Sequence, residues 1–110
     1  ATKVAGAKAI VVLGHSECGA IKGAVDNVKM GNLTATLANI RPSVDKVGSS
    51  MGEVNSKNKK LVQKVADQNA VDAAAKILAQ SEVLRTLVNE KKLSVVAAMH
   101  DISSGKISWL

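Results

Sequence analysis

Ala9-Ile10-Val11-Val12-Leu13-Gly14-His15-Ser16-Glu17-Cys18-Gly19 is the stretch that decides how this chain is read. Ile10 to Leu13 is a short continuous apolar run, the pattern of a parallel strand buried on both faces. Helical character resumes at Gly19 and continues to about Val28, so the residues between lie where a strand turns into a helix. That is the place on an α/β sheet where ligands and metals bind. His15 and Cys18, an imidazole and the chain's only thiol, stand three residues apart there. A soft nitrogen and a thiolate sulfur are the pair that zinc prefers. Gly14 and Gly19 permit the tight backbone that would fold both side chains toward one point. Two ligands are half a tetrahedral site, and no other residue evidently completes it. The alternative is a buried cysteine acting as a small hydrophobe beside a hydrogen-bonded histidine.

A second chemistry competes for the same residues. Gly14-His15-Ser16 begins like the Gly-x-Ser-x-Gly nucleophile elbow of serine hydrolases, with Ser16 as nucleophile. Cys18 stands where the second glycine belongs. His100 could act as base and Asp72 or Asp101 as orienting acid, but their order and spacing support no particular triad, and the chain is short for that fold. His100-Asp101 closes the second apolar run. Its histidine could be a proton shuttle or a substitute metal ligand. It could equally pack at the base of a hairpin whose turn Asp101 starts.

A length of 110 residues sets one domain, residues 1–110, large enough for a core but small for a complete enzyme. With no Phe, no Tyr and one Trp, the core must be aliphatic, and the stacking platforms of single-stranded nucleic-acid binders are missing. Nucleic acid is therefore not an expected partner. The net charge of +6 concentrates at Lys57, Lys59, Lys60 and Lys64. Without a recognition motif this reads as the solvated start of a long helix rather than a phosphate-binding face. One cysteine excludes an internal disulfide. No apolar run is long enough to span a bilayer, so a membrane is not an expected partner, and a cytoplasmic location is the default expectation.

The remaining elements follow from periodicity and punctuation. Ala1 to Lys8 reads as the last turns of a helix loosened by Gly6. Asn32 is the expected N-cap of a helix over Leu33 to Ile40, and Pro42 then kinks or restarts the helix at Arg41-Pro42-Ser43. Val47 to Ser56 reads as loop. The longest helix is expected from about Lys57 to Gln80, with one apolar face, followed by a helix over Glu82 to Lys92 capped by Ser81. Leu93 to Met99 is a second strand. Ser103-Ser104-Gly105-Lys106 turns the chain into an antiparallel edge strand from Ile107 to Leu110. A lone strand pair joined by so much chain is a poor sheet, so further strands are expected upstream or in a partner chain.

The run from Ile10 to Ala24, with Gly-His-Ser-x-Cys-Gly-Ala at its centre, strongly resembles the β-class carbonic anhydrases. The similarity continues through Leu33 to Val44, where Ala38-Asn39-Ile40-Arg41-Pro42 fits the family, and returns from Val95 to Lys106. The resemblance implies a mostly parallel α/β sheet flanked by helices, with an antiparallel C-terminal edge strand and an incomplete N-terminus. It implies zinc as cofactor, held in the family by Cys, His and Cys. The second and third of these ligands fall on His15 and Cys18. The family's first cysteine lies upstream in a Cys-x-Asp-x-Arg segment, and this chain has neither a second cysteine nor any Asp-x-Arg. No catalytic residue can thus be assigned to the Asp–Arg role. Gly19, with Ala20, would shape the backbone beside the metal, and Gly19 is the candidate substrate contact. The implied reaction is reversible hydration of carbon dioxide to bicarbonate and a proton, by a homodimer or higher homo-oligomer. The 110-residue stretch, read as the C-terminal portion of such an enzyme, is expected to be inactive by itself. A non-catalytic scaffold of the same fold is the alternative.

Overall fold

The computed structural model describes residues 5–50 and 52–110. Strand β1 (Ala9–His15) leads through a short loop into α1 (Gly19–Val25), followed by α2 (Gly31–Ala38), α3 (Arg41–Val47), α4 (Lys59–Gln80), α5 (Glu82–Asn89), β2 (Ser94–His100) and β3 (Ile107–Trp109). The described strands form one sheet in the order β1-β2-β3. β1 and β2 are parallel, in register from Ala9 opposite Ser94 to His15 opposite His100. β2 and β3 are antiparallel, with Ala98 opposite Trp109. This is the α/β architecture with an antiparallel C-terminal strand that the sequence implies.

Helix ends explain most departures from the expected boundaries. α1 stops at Val25, short of Val28, because Asn27 takes a left-handed φ of 57°. Its N–H then bonds the Ala24 carbonyl while the Val28 N–H reaches the Gly23 carbonyl, a Schellman stop. α5 ends at Asn89 rather than Lys92 in the same way, through Lys91 at φ 61°. α2 begins at Gly31, not after Asn32: Met30 is the N-cap, and its N–H donates to Thr34 Oγ1 at 2.8 Å. Asn32 is left in the first turn. Pro42 does open α3, where a missing N–H costs nothing. Asn58 and Ser81 cap α4 and α5 by accepting from the Leu61 and Leu84 N–H groups. Ala5 to Lys8 are not helical, and residues 1–4 lie outside the described residues. The reason is that the chain has already joined the sheet, with the Lys8 carbonyl accepting from Ser94 N–H at 3.0 Å.

β1 is covered on one face only, contrary to the expected burial on both. A Cβ placed on Gly14 would stand 3.6 Å from Ala70 Cβ, so Gly14, Val12 and Ile10 face α4. The alternate residues Ala9, Val11, Leu13 and His15 are exposed, because no described element lies over that side. With Val96 and Trp109 they leave an apolar sheet face open to solvent, Leu13 at 52 % and Trp109 at 70 % exposure.

The core lies on the other side, where α4 packs against the sheet and α1 to α3 close around it. Ile21, Ala24, Val25, Leu37, Val44, Leu61, Val62, Val65, Ala66 and Met99 form one aliphatic cluster. A polar cluster pins α3 to α4 at its margin. The buried Ser43 hydroxyl donates to Asp72 Oδ2 at 2.7 Å, and Lys46 and Gln68 meet Oδ1 at 2.7 and 2.9 Å. Burial pushes the Asp72 carboxyl up, but the hydrogen bonds from Lys46, Ser43 and Gln68 together outweigh it and hold the group below the ordinary value.

Truncation at Asp72 tests this brace. Asp72→Ala removes the carboxylate from a buried hydroxyl and is expected to cost about 1–3 kcal/mol in urea unfolding at neutral pH. Because the folded carboxyl titrates below its unfolded value, its contribution is present above the unfolded pKa and lost as pH falls through the folded one. Urea midpoints of the parent should therefore fall more steeply than those of Asp72→Asn between about pH 5 and pH 2.

Candidate metal centre

β1 delivers His15 to the carboxyl end of the sheet, and the chain turns into α1 over the next three residues, Ser16 to Cys18. Glu17 makes the turn by taking the left-handed region, φ 56°, which is uncommon for a side-chain-bearing residue. Its carboxylate meets Lys22 Nζ at 2.7 Å, and that hydrogen bond, reinforced by the charge, lowers its pKa. Cys18 is the extended N-cap residue of α1 and its carbonyl accepts from Lys22 N–H, which begins the helix. The Cys18 thiol is free and half-buried against the aliphatic core.

His15 Nδ1 lies 2.8 Å from the Ser16 carbonyl oxygen. A carbonyl only accepts, so Nδ1 is the donor, and in the neutral ring this leaves the lone pair on Nε2. That is the tautomer a metal-binding imidazole needs, oriented by a backbone acceptor. His15 and Cys18 line one small cavity of about 260 Å³ between β1, α1 and α4. Its other walls are mainly apolar, with Asn69 on α4 offering an amide. The two soft donors thus fit zinc as half of a coordination shell. Among the described residues no group of three His, Cys, Asp or Glu side chains is placed to hold a metal by itself.

The other candidates fall elsewhere. His100 is the cross-strand neighbour of His15, on the same sheet face. Asp101 starts the turn, accepting from the Ser103 N–H and hydroxyl at 3.0 and 2.8 Å, and these bonds, Ser103's first, keep its carboxyl low. That is the hairpin-base arrangement. Asp72 belongs to the α3–α4 brace described above and is not brought to Ser16. The Ser16 hydroxyl accepts from Ile102 N–H at 2.9 Å and lies 3.4 Å from Asp101 Oδ1, so its partners are a backbone amide and a carboxylate rather than the imidazole a nucleophile elbow requires. Lys57, Lys59, Lys60 and Lys64 are all exposed, the solvated helix face expected. Gly19 opens α1 with nothing within 4 Å of where a Cβ would stand. Residue patterns do not reveal the tie from Ser16 to Ile102, because the partners are far apart in the chain and joined through backbone. Glu17's left-handed turn is signalled only by its place between a strand and a helix start.

A carbonic anhydrase family model matches residues 1–107. The chain belongs to the carbonic anhydrase family, and solved structures place its fold in the β-class. The β-carbonic anhydrase CafA of Aspergillus fumigatus superposes with a TM-score of 0.80 at 24 % identity, over 94 % of this chain and 48 % of that one. One of two tetrameric β-carbonic anhydrases from Sordaria macrospora gives 0.75 at 29 % identity, over 94 % and 52 %. A Coccomyxa β-carbonic anhydrase, solved with acetazolamide, gives 0.78 at 20 % identity, over 99 % and 49 %. The chain therefore spans about half the length of these proteins. A comparison with curated proteins finds no match.

The close seat of Gly14 beneath the site can be probed by size. A Cβ there would meet Met99 Cε at 2.8 Å, the mobile end of a flexible side chain, whereas a larger group would also press Ala70. Gly14→Ala should be mild and Gly14→Val should cost about 1–3 kcal/mol in urea unfolding. Combining Gly14→Ala with Met99→Ala should give less than the sum of the two single losses.

Proposed function

We propose that the protein containing this chain is a zinc-dependent β-carbonic anhydrase that interconverts carbon dioxide and bicarbonate, with His15 and Cys18 as two of its zinc ligands. The observation that carries this reading is that His15 and Cys18 both line one small cavity at the carboxyl end of β1, in a chain of this family. His15 would bind through Nε2 and Cys18 through its thiolate. When bound, zinc lowers the pKa of a water to about 7 and so supplies hydroxide at neutral pH. The Ser16 carbonyl holds the proton on Nδ1 and keeps the imidazole a ligand rather than a proton carrier. The apolar walls from Val12, Ile21, Ala66 and Ala70 suit an uncharged, apolar substrate. Gly19 leaves the backbone beside Cys18 open to a small molecule.

A catalytic zinc site takes three protein donors, so a third must join these two from outside the described residues, and the stretch by itself should turn over slowly. Stopped-flow carbon dioxide hydration, with metal content measured on the same samples, tests the proposal. The intact protein should carry zinc, lose activity to a chelator and regain it with zinc. Cys18→Ser should lose both metal and activity. Full activity in Cys18→Ser would refute the assignment, and an intact protein that neither retains zinc nor hydrates carbon dioxide would favour the scaffold reading.

The open sheet face supports a homo-oligomer. Val11, Leu13, Val96 and Trp109 leave large apolar side chains exposed on one sheet face, and the far edge of β1 has no partner strand among the described residues. Trp109→Glu should move the intact protein to a smaller species in sedimentation velocity, and an unchanged sedimentation coefficient would take this face out of the assembly.

A further inference from the structure

We infer that Ser16 is a positioning residue for the metal loop, through which the turn after β2 sets the orientation of the His15 imidazole. The inference deepens the proposed zinc site and rests on that reading.

All three polar groups of Ser16 are engaged, each in a different direction. Its N–H donates to the His100 carbonyl at 2.9 Å, which extends the β1–β2 pairing one residue past the strands. Its hydroxyl accepts from Ile102 N–H at 2.9 Å and lies 3.4 Å from Asp101 Oδ1. Its carbonyl receives the His15 Nδ1–H at 2.8 Å. The first tie holds the residue to the end of β2, the second to the β2–β3 turn, and the third holds the imidazole. The His100 and Ile102 contacts fix the residue about which the Ser16–Glu17 peptide turns, and rotation of that peptide would carry its carbonyl away from the ring. The turn itself is stiffened by Asp101, which accepts from Ser103 and closes on Gly105 and Lys106 through backbone bonds of 2.8 Å. A loop that contains a left-handed Glu17 has little intrinsic preference for its conformation, so its shape depends on such external fastenings. Groups that accept the second ring N–H of a metal-binding histidine typically influence metal affinity by about 10–100-fold, and the Ser16 hydroxyl acts through such a group, at the lower end of that range.

Ser16→Ala removes only the hydroxyl, and Ser16→Thr keeps it. In the intact protein, cobalt titrated into the metal-free form should bind about tenfold more weakly to Ser16→Ala than to the parent, with an altered ligand-field spectrum, while Ser16→Thr should stay within about twofold. Amide hydrogen exchange of the metal-free protein gives a second readout. Ser16, Glu17 and Cys18 should exchange faster in Ser16→Ala, with Val62 and Val65 of α4 unchanged. Equal acceleration at α4, with cobalt affinity intact, would mean a general loss of stability and would overturn the inference. So would Ser16→Ala matching the parent in both readouts, or Ser16→Thr failing as Ala does. If the parent protein shows no cobalt–thiolate absorption, the metal-ligand reading fails, and loop exchange in Ser16→Ala still decides whether the latch exists.

Discussion

Parallel pairing of β1 with β2 is the constraint on which everything else in this molecule depends. Most of the chain lies between the two strands, so their pairing closes a large loop and is entropically costly. What holds it is the aliphatic cluster beneath, where α4 packs against Val12, Gly14 and Met99 while α1, α2 and α3 fill in behind. The register brings His15 level with His100, and so delivers the β2–β3 turn to the side of the loop that carries Cys18. A slip of one residue would send Met99 to the open face and place the turn away from Ser16.

One-sided covering shapes both stability and association. The helices bury one face of the sheet with small aliphatic side chains, tightly enough that a glycine is needed where β1 passes Met99 and Ala70. The opposite face carries Val11, Leu13, Val96 and Trp109 without a cover among the described residues. A sheet of this kind is half of a layered structure. The superposed β-carbonic anhydrases are about twice as long, and one is described as tetrameric.

Chemistry at the candidate centre follows from where protons are held. A backbone carbonyl fixes the His15 tautomer and leaves Nε2 available. The thiol sits at a helix start against apolar neighbours, in a cavity too small for a large substrate. Polar cost is met locally: Ser43 gives its hydroxyl to Asp72, and Asp101 is satisfied by the turn it starts. These carboxylates brace the scaffold, leaving the centre to nitrogen and sulfur donors.

The sequence by itself determined the strand-loop-helix around Gly14 to Gly19, the placing of His15 and Cys18 on that loop, the hairpin at Ser103 to Lys106 and the family. Each of these is written in local pattern: an apolar run, a motif at fixed spacing, turn residues in order. Helix starts at Ser81 and Pro42 were legible for the same reason, since a cap or a ring acts on its own neighbours. Helix stops at Asn27 and Lys91 were not, because neither is the glycine that usually marks a left-handed stop, and lysine carries no local signal for one. Tertiary structure alone decided that β1 is covered on one face, that Asp72 braces α3 rather than serving Ser16, and that Ser16 answers to Ile102. Those outcomes depend on which distant segments meet, and the meeting is set by the burial of aliphatic area around α4, a property of the whole chain rather than of any stretch within it.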